Sequence, residues 1–412
     1  MDVVHERCAG MDISKTDAKV CVRVPGPRPG QYSKTVTTYG ATSNEVLRLR
    51  ADLVTAQVTE VVMEATGDYW KPFLFVLEEA VPVHLVNAKQ AKNIPGRKTD
   101  VSDAVWLAEL AAHGLLRTSF VPDEPIRQLR DLTRTRTNLT GEQTREYNRL
   151  DKLLQDAGIK LSSVASTLAG LSSRRILDAM VAGETDPQVL AALVHASMRK
   201  KTPELVEALT GRFKDHHRFL TGLHLRRIDQ LQALISEISD RIDQVAAPFH
   251  TARDALTTIP GISTPSAEVI IAEIGVDMSV FQTAGHLASW AGVCPGQNES
   301  AGRRKSTATR PGNRHLKAVL GTAAMSASKS KTSYLAVKYR RILTRRGKPR
   351  AIVAIEHTIL VAIWNMLTTG EAFNDPGSGY QPGRDPGSTL NKALKSLRDL
   401  GYQVELTPAT AA

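Results

Sequence analysis

The sequence has little cysteine, few aromatic residues and no long uncharged apolar run. Its three cysteines are too scattered for a disulfide framework, and none has a partner at zinc-finger spacing. No apolar signal segment follows Met1, and the longest apolar stretch, 351–367, contains Glu356 and His357. These absences disfavour secreted and membrane-spanning classes. They predict a cytoplasmic protein in which residues 351–367 form a buried helix.

Acidic residues are absent from a fifty-residue stretch, 301–350, which holds fifteen lysines and arginines. Its net charge of +15 exceeds the +11 of the whole 412-residue chain, so the remainder is net acidic. Such a block requires a polyanionic partner, usually nucleic-acid phosphate. A disordered basic tail is the alternative, but Leu316, Leu320 and Ala323 recur at helical spacing. Aromatic residues make up only 5% of the chain, which disfavours a base-stacking platform.

The N-terminal third alternates between strand and helix patterns in an order typical of one fold class. Three strands precede the first helix, which predicts an antiparallel meander joined to a parallel part. We therefore expect an α/β domain with a mixed sheet of the ribonuclease H-like type. The predicted strands are 8–13, 20–24, 32–39, 58–65 and 81–86, and the predicted helices are 42–55, 68–79 and 100–116.

The rest of the chain reads as helical, and we predict four parts: 1–124, 125–250, 251–370 and a 371–412 linker and small tail. Residues 374–388 are rich in Gly, Pro and Asp, as linkers are. A Pro-Gly turn at 258–262 resembles a helix-hairpin-helix, with a plain helix–turn–helix contact equally compatible. An apolar seam in the second part fits an intramolecular hairpin, a dimeric coiled coil or a helix on its own core. The seam is Ile228, Leu231, Ile235, Ile238, Ile242 and Val245.

Four carboxylates stand where a metal site would need them. Asp12 lies in the first strand and Glu64 ends the fourth, and these strands are neighbours in a ribonuclease H-like sheet. Asp100 and Asp103 are three residues apart at a helix start, on one face. Oxygen ligands converging in this way would bind Mg²⁺, as a pair of ions. Taken singly, Asp100 and Asp103 are better explained as helix caps, and a satisfied polar strand end is a reasonable alternative for Asp12.

A second group of residues surrounds Ser300, which is followed within five positions by three cations. A serine hydroxyl beside cations suits attack on a phosphodiester, because the cations stabilise the negative charge that develops. From spacing alone, a helix-capping serine in a phosphate-binding loop is the better explanation. The expected nucleic-acid contacts are Arg303, Arg304, Lys305, Arg310, Arg314 and Lys317.

Six short motifs together resemble one known family. They are Gly-Met-Asp-Ile-Ser at 10–14, Met-Glu-Ala-Thr-Gly at 63–67, Lys-Thr-Asp-Val-Ser-Asp-Ala at 98–104, Ile-Pro-Gly-Ile at 259–262, Cys-Pro-Gly-Gln-Asn-Glu-Ser-Ala-Gly at 294–302 and Gly-Asn-Arg-His-Leu at 312–316. The chain resembles the DEDD transposases of the bacterial insertion-sequence one-hundred-and-ten family, which are bridge-RNA-guided DNA recombinases. The resemblance covers residues 6 to about 370. Two departures are local: Ala301 stands where many members have Gly, and Pro311 where a basic residue is common.

The resemblance implies a complete reaction site and a set of partners. It implies that Asp12, Glu64, Asp100 and Asp103 are the catalytic, Mg²⁺-binding carboxylates of a RuvC-like domain. It implies that Ser300 is the nucleophile and forms a covalent phosphoserine link to DNA. The implied partners are donor and target DNA, a non-coding bridge RNA and further copies of the chain, as a homodimer or homotetramer assembled through a coiled coil. The implied location is the bacterial cytoplasm, in association with the nucleoid.

Taken together, these features predict a site-specific DNA recombinase that moves an insertion sequence. A ribonuclease H-like nuclease or Holliday-junction resolvase is the alternative, because it would use the same carboxylates with water as the nucleophile. A catalytically idle nucleic-acid-binding protein is less compatible, since the four carboxylates and Ser300 are all present.

Overall fold

The structure is a computed structural model, and it divides into two compact units, Met1–Val121 and Pro122–Ala412. Each unit is described by itself. The residues described are 3–28, 30–64, 67–87, 102–296, 298–300, 303–306, 308–377 and 386–404.

The first unit contains a five-stranded mixed sheet with the strand order β3-β2-β1-β4-β5. Strands β1, β2 and β3 are antiparallel, whereas β4 runs parallel to β1 and β5 parallel to β4. This confirms the predicted meander joined to a parallel part, and with it the ribonuclease H-like fold class. The elements are β1 Cys8–Ile13, β2 Asp17–Pro25, β3 Tyr32–Gly40, α1 Ser43–Thr55, β4 Glu60–Glu64, α2 Trp70–Leu77, β5 Val83–Val86 and α3 Asp103–Ala112.

Helices cover both faces of this sheet, which is why β1 and β4 are mainly apolar, apart from Asp12 in β1 and the glutamates at the two ends of β4. Because side chains alternate along a strand, Met11 packs on one face with Leu49 of α1 and Phe73 of α2. On the other face, Cys8 packs with Leu107 of α3. Helix α3 begins at Asp103, three residues later than predicted, and Asp100 lies outside the described residues.

The described part of the second unit is mainly helical, as predicted. Its helices are α4 Glu124–Asp156, α5 Leu161–Val164, α6 Leu171–Ala182, α7 Pro187–Ala192, α8 Thr202–Leu209, α9 Asp215–Val245, α10 His250–Thr257, α11 Thr264–Ile274, α12 Ala284–Ala291, α13 Arg314–Ser328, α14 Tyr334–Arg346, α15 Lys348–Thr369 and α16 Pro386–Asp399.

The two longest helices, α4 and α9, pack against each other within the unit. Gln143 of α4 donates to Gln232 of α9, and Glu146 meets His224 at 2.7 Å. Of the predicted seam, Ile228 and Ile242 are buried, whereas Ile235 is half-buried. The seam therefore serves packing within one chain, and its use in a coiled coil between copies stays a prediction.

Helix α15 is the apolar segment predicted to be a buried helix. By length and composition it could also cross a membrane, as many core helices could. It packs against α12, α13 and α14, and one side of it, including Ile355, Ile359 and Ile363, is fully buried. This burial accounts for its apolar composition.

The turn at residues 258–262 connects α10 to α11 and packs against α13. Gly261 has φ +95°, and a Cβ there would lie 2.3 Å from the carbonyl oxygen of Ala323. The glycine is therefore needed for a close helix contact inside the unit. A phosphate-binding role for this turn stays a prediction.

Two elements differ from expectation. A short hairpin, β6 Asn298–Ser300 and β7 Arg303–Ser306, lies in the region predicted to be helical. Its strands are too short and too charged to show an alternating apolar pattern. Near the C-terminus, α16 begins at Pro386 and takes up the last residues of the predicted linker.

Candidate active site

Asp12 and Glu64 lie side by side at the ends of two neighbouring parallel strands. Strands β1 and β4 pair with Met11 opposite Met63, so the next residue of each strand, Asp12 or Glu64, continues the same register. Neighbouring strands lie about 4.8 Å apart. Tertiary structure thus brings together two carboxylates that are 52 positions apart in the chain.

Gly10 shows which face of the sheet these carboxylates share with α3. A Cβ at Gly10 would lie 2.3 Å from both the carbonyl oxygen of Ala104 and the nitrogen of Ala108. Since residues two apart in a strand face the same way, Asp12 lies on this face. Further back along β1, the Cys8 thiol donates to the carbonyl of Ala108, so α3 runs antiparallel to β1. The N-terminus of α3 therefore points toward the end of β1 that carries Asp12.

Asp103 is the first residue of α3 and so belongs to the same end of the sheet. Ser102 caps the helix, because its side chain accepts from the Val105 nitrogen at 3.4 Å. A carboxylate in the first helical turn is favoured by the helix dipole. Three of the four predicted acidic residues thus share one end of one face. Asp100 lies outside the described residues.

The donor chemistry of this site fits a hard divalent cation. Carboxylate oxygens are the ligands Mg²⁺ prefers, and Glu64 is only 8% exposed while Asp12 and Asp103 are half-buried. Within the described part of the chain, no three His, Cys, Asp or Glu side chains are grouped so that they could hold a metal ion. The residues present therefore supply suitable donors without forming a closed cage.

Lys19 is a cation beside this site that the sequence analysis did not select. It pairs directly with Asp12 across the antiparallel β1–β2 ladder, and it is exposed. Directly opposite residues in such a ladder share a face, with Cβ atoms about 5 Å apart. The tight turn at residues 14–17, where Ser14 donates to Asp17, fixes this register. Recognising that turn in the sequence would have identified the pair.

Ser300 lies at the end of the short hairpin in the second unit. Its backbone pairs with that of Arg303, while Glu299 pairs with Arg304. The structure describes only the backbone here, and residues 301 and 302 lie outside it. The hairpin thus brings the Ser300 backbone beside the first of the three predicted cations.

The loop that carries this hairpin is closed at its base by two glycines. A Cβ on Gly312 would lie 2.2 Å from the carbonyl oxygen of Ala291, and Gly292 has φ +73°. Above this neck, Pro295 and Thr309 form an isolated bridge, and the Gly296 nitrogen donates to Ala308. We call residues 292–312 the serine loop. Its neck has no space for larger residues, so its two ends are held together.

The remaining predicted cations are Arg310, within the serine loop, and Arg314 and Lys317, just beyond it. Arg310 and Arg314 are exposed, and the Lys317 ammonium donates to the Thr309 hydroxyl at 3.4 Å. Burial and the nearby Arg134 lower the pKa of His315, which accepts from Arg314. Arg310 and Arg314 place positive charge here, and Lys317 lies near the buried carboxyl group of Glu356, whose pKa is raised by burial and partly lowered by the lysine.

Comparison with known proteins places both groups of residues in one family. A family model described as a transposase matches residues 9–159, and a second, described as the transposase IS116/IS110/IS902 family, matches residues 253–340. Together they cover more than half of the chain. The chain belongs to the IS110 family of transposases. The first match contains all four carboxylates, and the second contains Ser300 and the expected nucleic-acid contacts.

Individual members of the family are distant in sequence. The chain is 24% identical to the transposase of insertion sequence element IS1111A from Coxiella burnetii, over 88% of this chain and 90% of that protein. It is 27% identical to a 42 kDa protein of insertion element IS900 from Mycobacterium paratuberculosis, over 66% and 71% of the two chains. Residues 160–252 match neither family model, so all of α9 lies in a part that those models do not describe.

Proposed function

We propose that this transposase is a site-specific DNA recombinase with an acidic site and a serine nucleophile. In this proposal the acidic site comprises Asp12, Glu64, Asp100 and Asp103, and Ser300 attacks the DNA backbone. The observation that carries it is the shared register of Asp12 and Glu64 beneath the N-terminus of α3. Two adjacent carboxylates repel each other unless a cation or a proton neutralises them, so this arrangement favours a cation site.

Asp12, Glu64 and Asp103, together with Asp100, would hold Mg²⁺. When bound, the ion would polarise phosphate oxygens and stabilise the charge of the leaving oxygen. Lys19 adds a positive charge on the same face, where it can contact a phosphate oxygen. The carboxylates themselves orient the ion and keep the site acidic.

Ser300 supplies the attacking oxygen in the proposed reaction. Its Oγ forms a bond to phosphorus as the bond from phosphorus to one DNA oxygen breaks, and the hydroxyl proton ends on that leaving oxygen. Rejoining reverses the exchange: a DNA hydroxyl attacks the phosphoserine and releases Ser300. Arg303, Arg304, Lys305, Arg310, Arg314 and Lys317 would hold the phosphates on either side.

The partners of the reaction are part of the same proposal. We propose that a bridge RNA selects the donor and target DNA, and that the enzyme acts as a dimer or tetramer in the bacterial cytoplasm, near the nucleoid. The charge of +15 over residues 301–350 supports nucleic-acid partners. The α4–α9 pair supplies the long helical element that assembly would use.

Denaturing electrophoresis of a reaction on labelled DNA tests the serine mechanism. The wild-type protein should give a protein–DNA adduct, and Ser300→Ala should abolish both the adduct and recombination. Ser306→Ala, in β7 of the same hairpin, is the matched control and should keep both. Full cleavage by Ser300→Ala without an adduct would return the assignment to a nuclease or resolvase that uses water.

A further inference from the structure

A buried charged cluster lies next to the serine loop in the second unit. Its centre is Glu273 of α11, which is fully buried. The Arg134 guanidinium of α4 donates to both carboxylate oxygens of Glu273, at 2.7 and 2.8 Å. Although burial would raise the pKa of Glu273, the hydrogen bonds from Arg134 and Asn313 hold it below its usual range. The carboxylate is therefore ionised at neutral pH.

Asn313 connects this cluster to the serine loop. Its Oδ1 accepts from the backbone nitrogens of His315 and Leu316, so it caps α13. Its Nδ2 donates to Oε2 of Glu273 at 2.5 Å. Asn313 directly follows Gly312, which closes the neck of the loop. One side chain thus fixes the start of α13, the neck of the serine loop and the buried carboxylate.

Two arginines of α4, Arg130 and Arg134, bind the C-terminal end of α11. Arg130 donates to the carbonyl oxygens of Ala272 and Glu273, at 2.9 and 2.8 Å. One helical turn further along α4, Arg134 makes the bidentate pair with Glu273. Planar guanidinium groups with two bonds each allow little rotation. The Glu273 carboxylate therefore connects the neck of the serine loop, through Asn313, to the long helix α4, through Arg134.

We propose that Glu273 and Asn313 are positioning residues for Ser300, which they hold in the orientation for attack without touching DNA. This inference rests on the proposed role of Ser300. A displacement of about 1 Å in a reacting group can cost about a hundredfold in rate, so a small shift of the neck would slow chemistry. Nucleic-acid binding, which depends on exposed cations, would be unaffected.

Asn313→Asp isolates the contact to Glu273. The introduced carboxylate can still accept from His315 and Leu316 and so keeps the cap. The introduced carboxylate cannot donate a hydrogen bond to Glu273, and it places a second negative charge beside the Glu273 carboxylate. At saturating DNA we expect the rate of Ser300 adduct formation to fall about a hundredfold, with DNA affinity within about threefold of wild type. Asn138→Asp, an exposed position of α4, makes the same charge change as a control and should leave the rate unchanged.

The double variant Asn313→Asp with Glu273→Gln exchanges donor and acceptor and restores the original charge of the cluster. We expect it to recover at least about tenfold of the lost rate, which a double-mutant cycle measures. If Asn313→Asp fails to fold, Asn313→Ser keeps a capping oxygen without the repulsion and takes its place.

Three results would overturn the inference. These are an unchanged adduct rate in Asn313→Asp, a parallel loss of rate and DNA affinity, or a double variant that regains thermal stability without regaining rate. Failure of the proposed function looks different, because wild-type protein would then give no adduct that depends on Ser300.

Discussion

Glu64 ends β4 and Asp12 is the next-to-last residue of β1, so a change of one carboxylate there need not disturb the sheet. Each is preceded by a fully buried methionine, Met11 or Met63, which anchors the strand in the core. The acidic side chains project from this frame at its carboxyl end. Their contribution is therefore expected to be chemical more than structural.

At this scale we predict that Asp12→Asn reduces strand cleavage by at least about a hundredfold, because a proposed metal ligand loses its charge. DNA binding should stay within about twofold, since the cations of residues 301–350 are unchanged. Cleavage gels and fluorescence anisotropy measure the two quantities. Asp52→Asn is the control, because an amide oxygen can still accept from the Tyr39 hydroxyl, and it should retain activity. Equal losses of cleavage and binding in Asp12→Asn would contradict the assignment.

At the scale of elements, helix α3 is placed by the absence of a side chain at Gly10. The helix backbone occupies the space that a Cβ would fill, and this contact sets the height of Asp103 above the sheet. The serine loop is placed similarly, by Gly292 and Gly312. In both regions, backbone contact fixes the element that carries the functional residue.

We therefore predict that Gly10→Ala destabilises the α3 contact by about 2 kcal/mol, because the helix must shift to admit a methyl group. Amide exchange across residues 103–112 should become about thirtyfold faster, as measured by hydrogen–deuterium exchange. Gly141→Ala in α4, where only the flexible end of Arg145 is near, should leave α3 unchanged. Wild-type exchange rates in Gly10→Ala would show that the contact is not needed.

The α4–α9 pair gives a pH prediction. Burial would raise the pKa of Glu146, but hydrogen bonds from His224 and Arg149 hold it below its usual range. A carboxyl group with a lowered folded-state pKa stabilises the fold above its unfolded pKa and loses that effect as the pH falls through the folded value. Stability of the pair should thus decline below about pH 4.5.

Glu146→Gln should remove this acid dependence and cost about 2 kcal/mol at pH 7, because a charged hydrogen bond is lost. Urea unfolding from pH 7 to pH 3 measures both effects. Glu142→Gln on the same helix is the control and should keep the wild-type pH profile. A Glu146→Gln curve parallel to wild type at every pH would refute the assignment.

For the whole molecule, the uneven charge predicts a strong response to salt. If about six of the fifteen cations in residues 301–350 contact phosphates, DNA affinity should fall about a thousandfold between 50 and 200 mM salt. Replacing both Arg310 and Arg314 by Gln should lower the slope of log affinity against log salt by about 2. Arg50→Gln, on α1 and paired with Glu79, is the control and should leave the slope unchanged. A salt-independent affinity would exclude the polyanion interpretation.

Much of the fold could be predicted because its signals are local. Strands such as β1 are mainly apolar because both sheet faces are covered, and the helices show the expected spacing of leucine and isoleucine. The order of the predicted strands and helices along the chain indicated the mixed sheet. The motifs around Asp12 and Glu64 predicted that these two carboxylates lie on neighbouring strands. The hairpin at 298–306 was missed, because three- and four-residue strands are too short to carry a periodic pattern.

The sequence by itself determined the fold class and the basic block, since these depend on composition and short-range pattern, and its motifs marked the candidate reactive residues through their resemblance to one family. Only the tertiary structure decided which residues meet. Glu273 binds Asn313 and Arg134, which are 40 and 139 positions away, and Lys19 lies opposite Asp12 only because the β1–β2 turn fixes that register. A buried ion pair and a strand register both depend on contacts between segments that are separate in the sequence. Residue spacing cannot specify them, because the partners become neighbours only when the helices and strands pack.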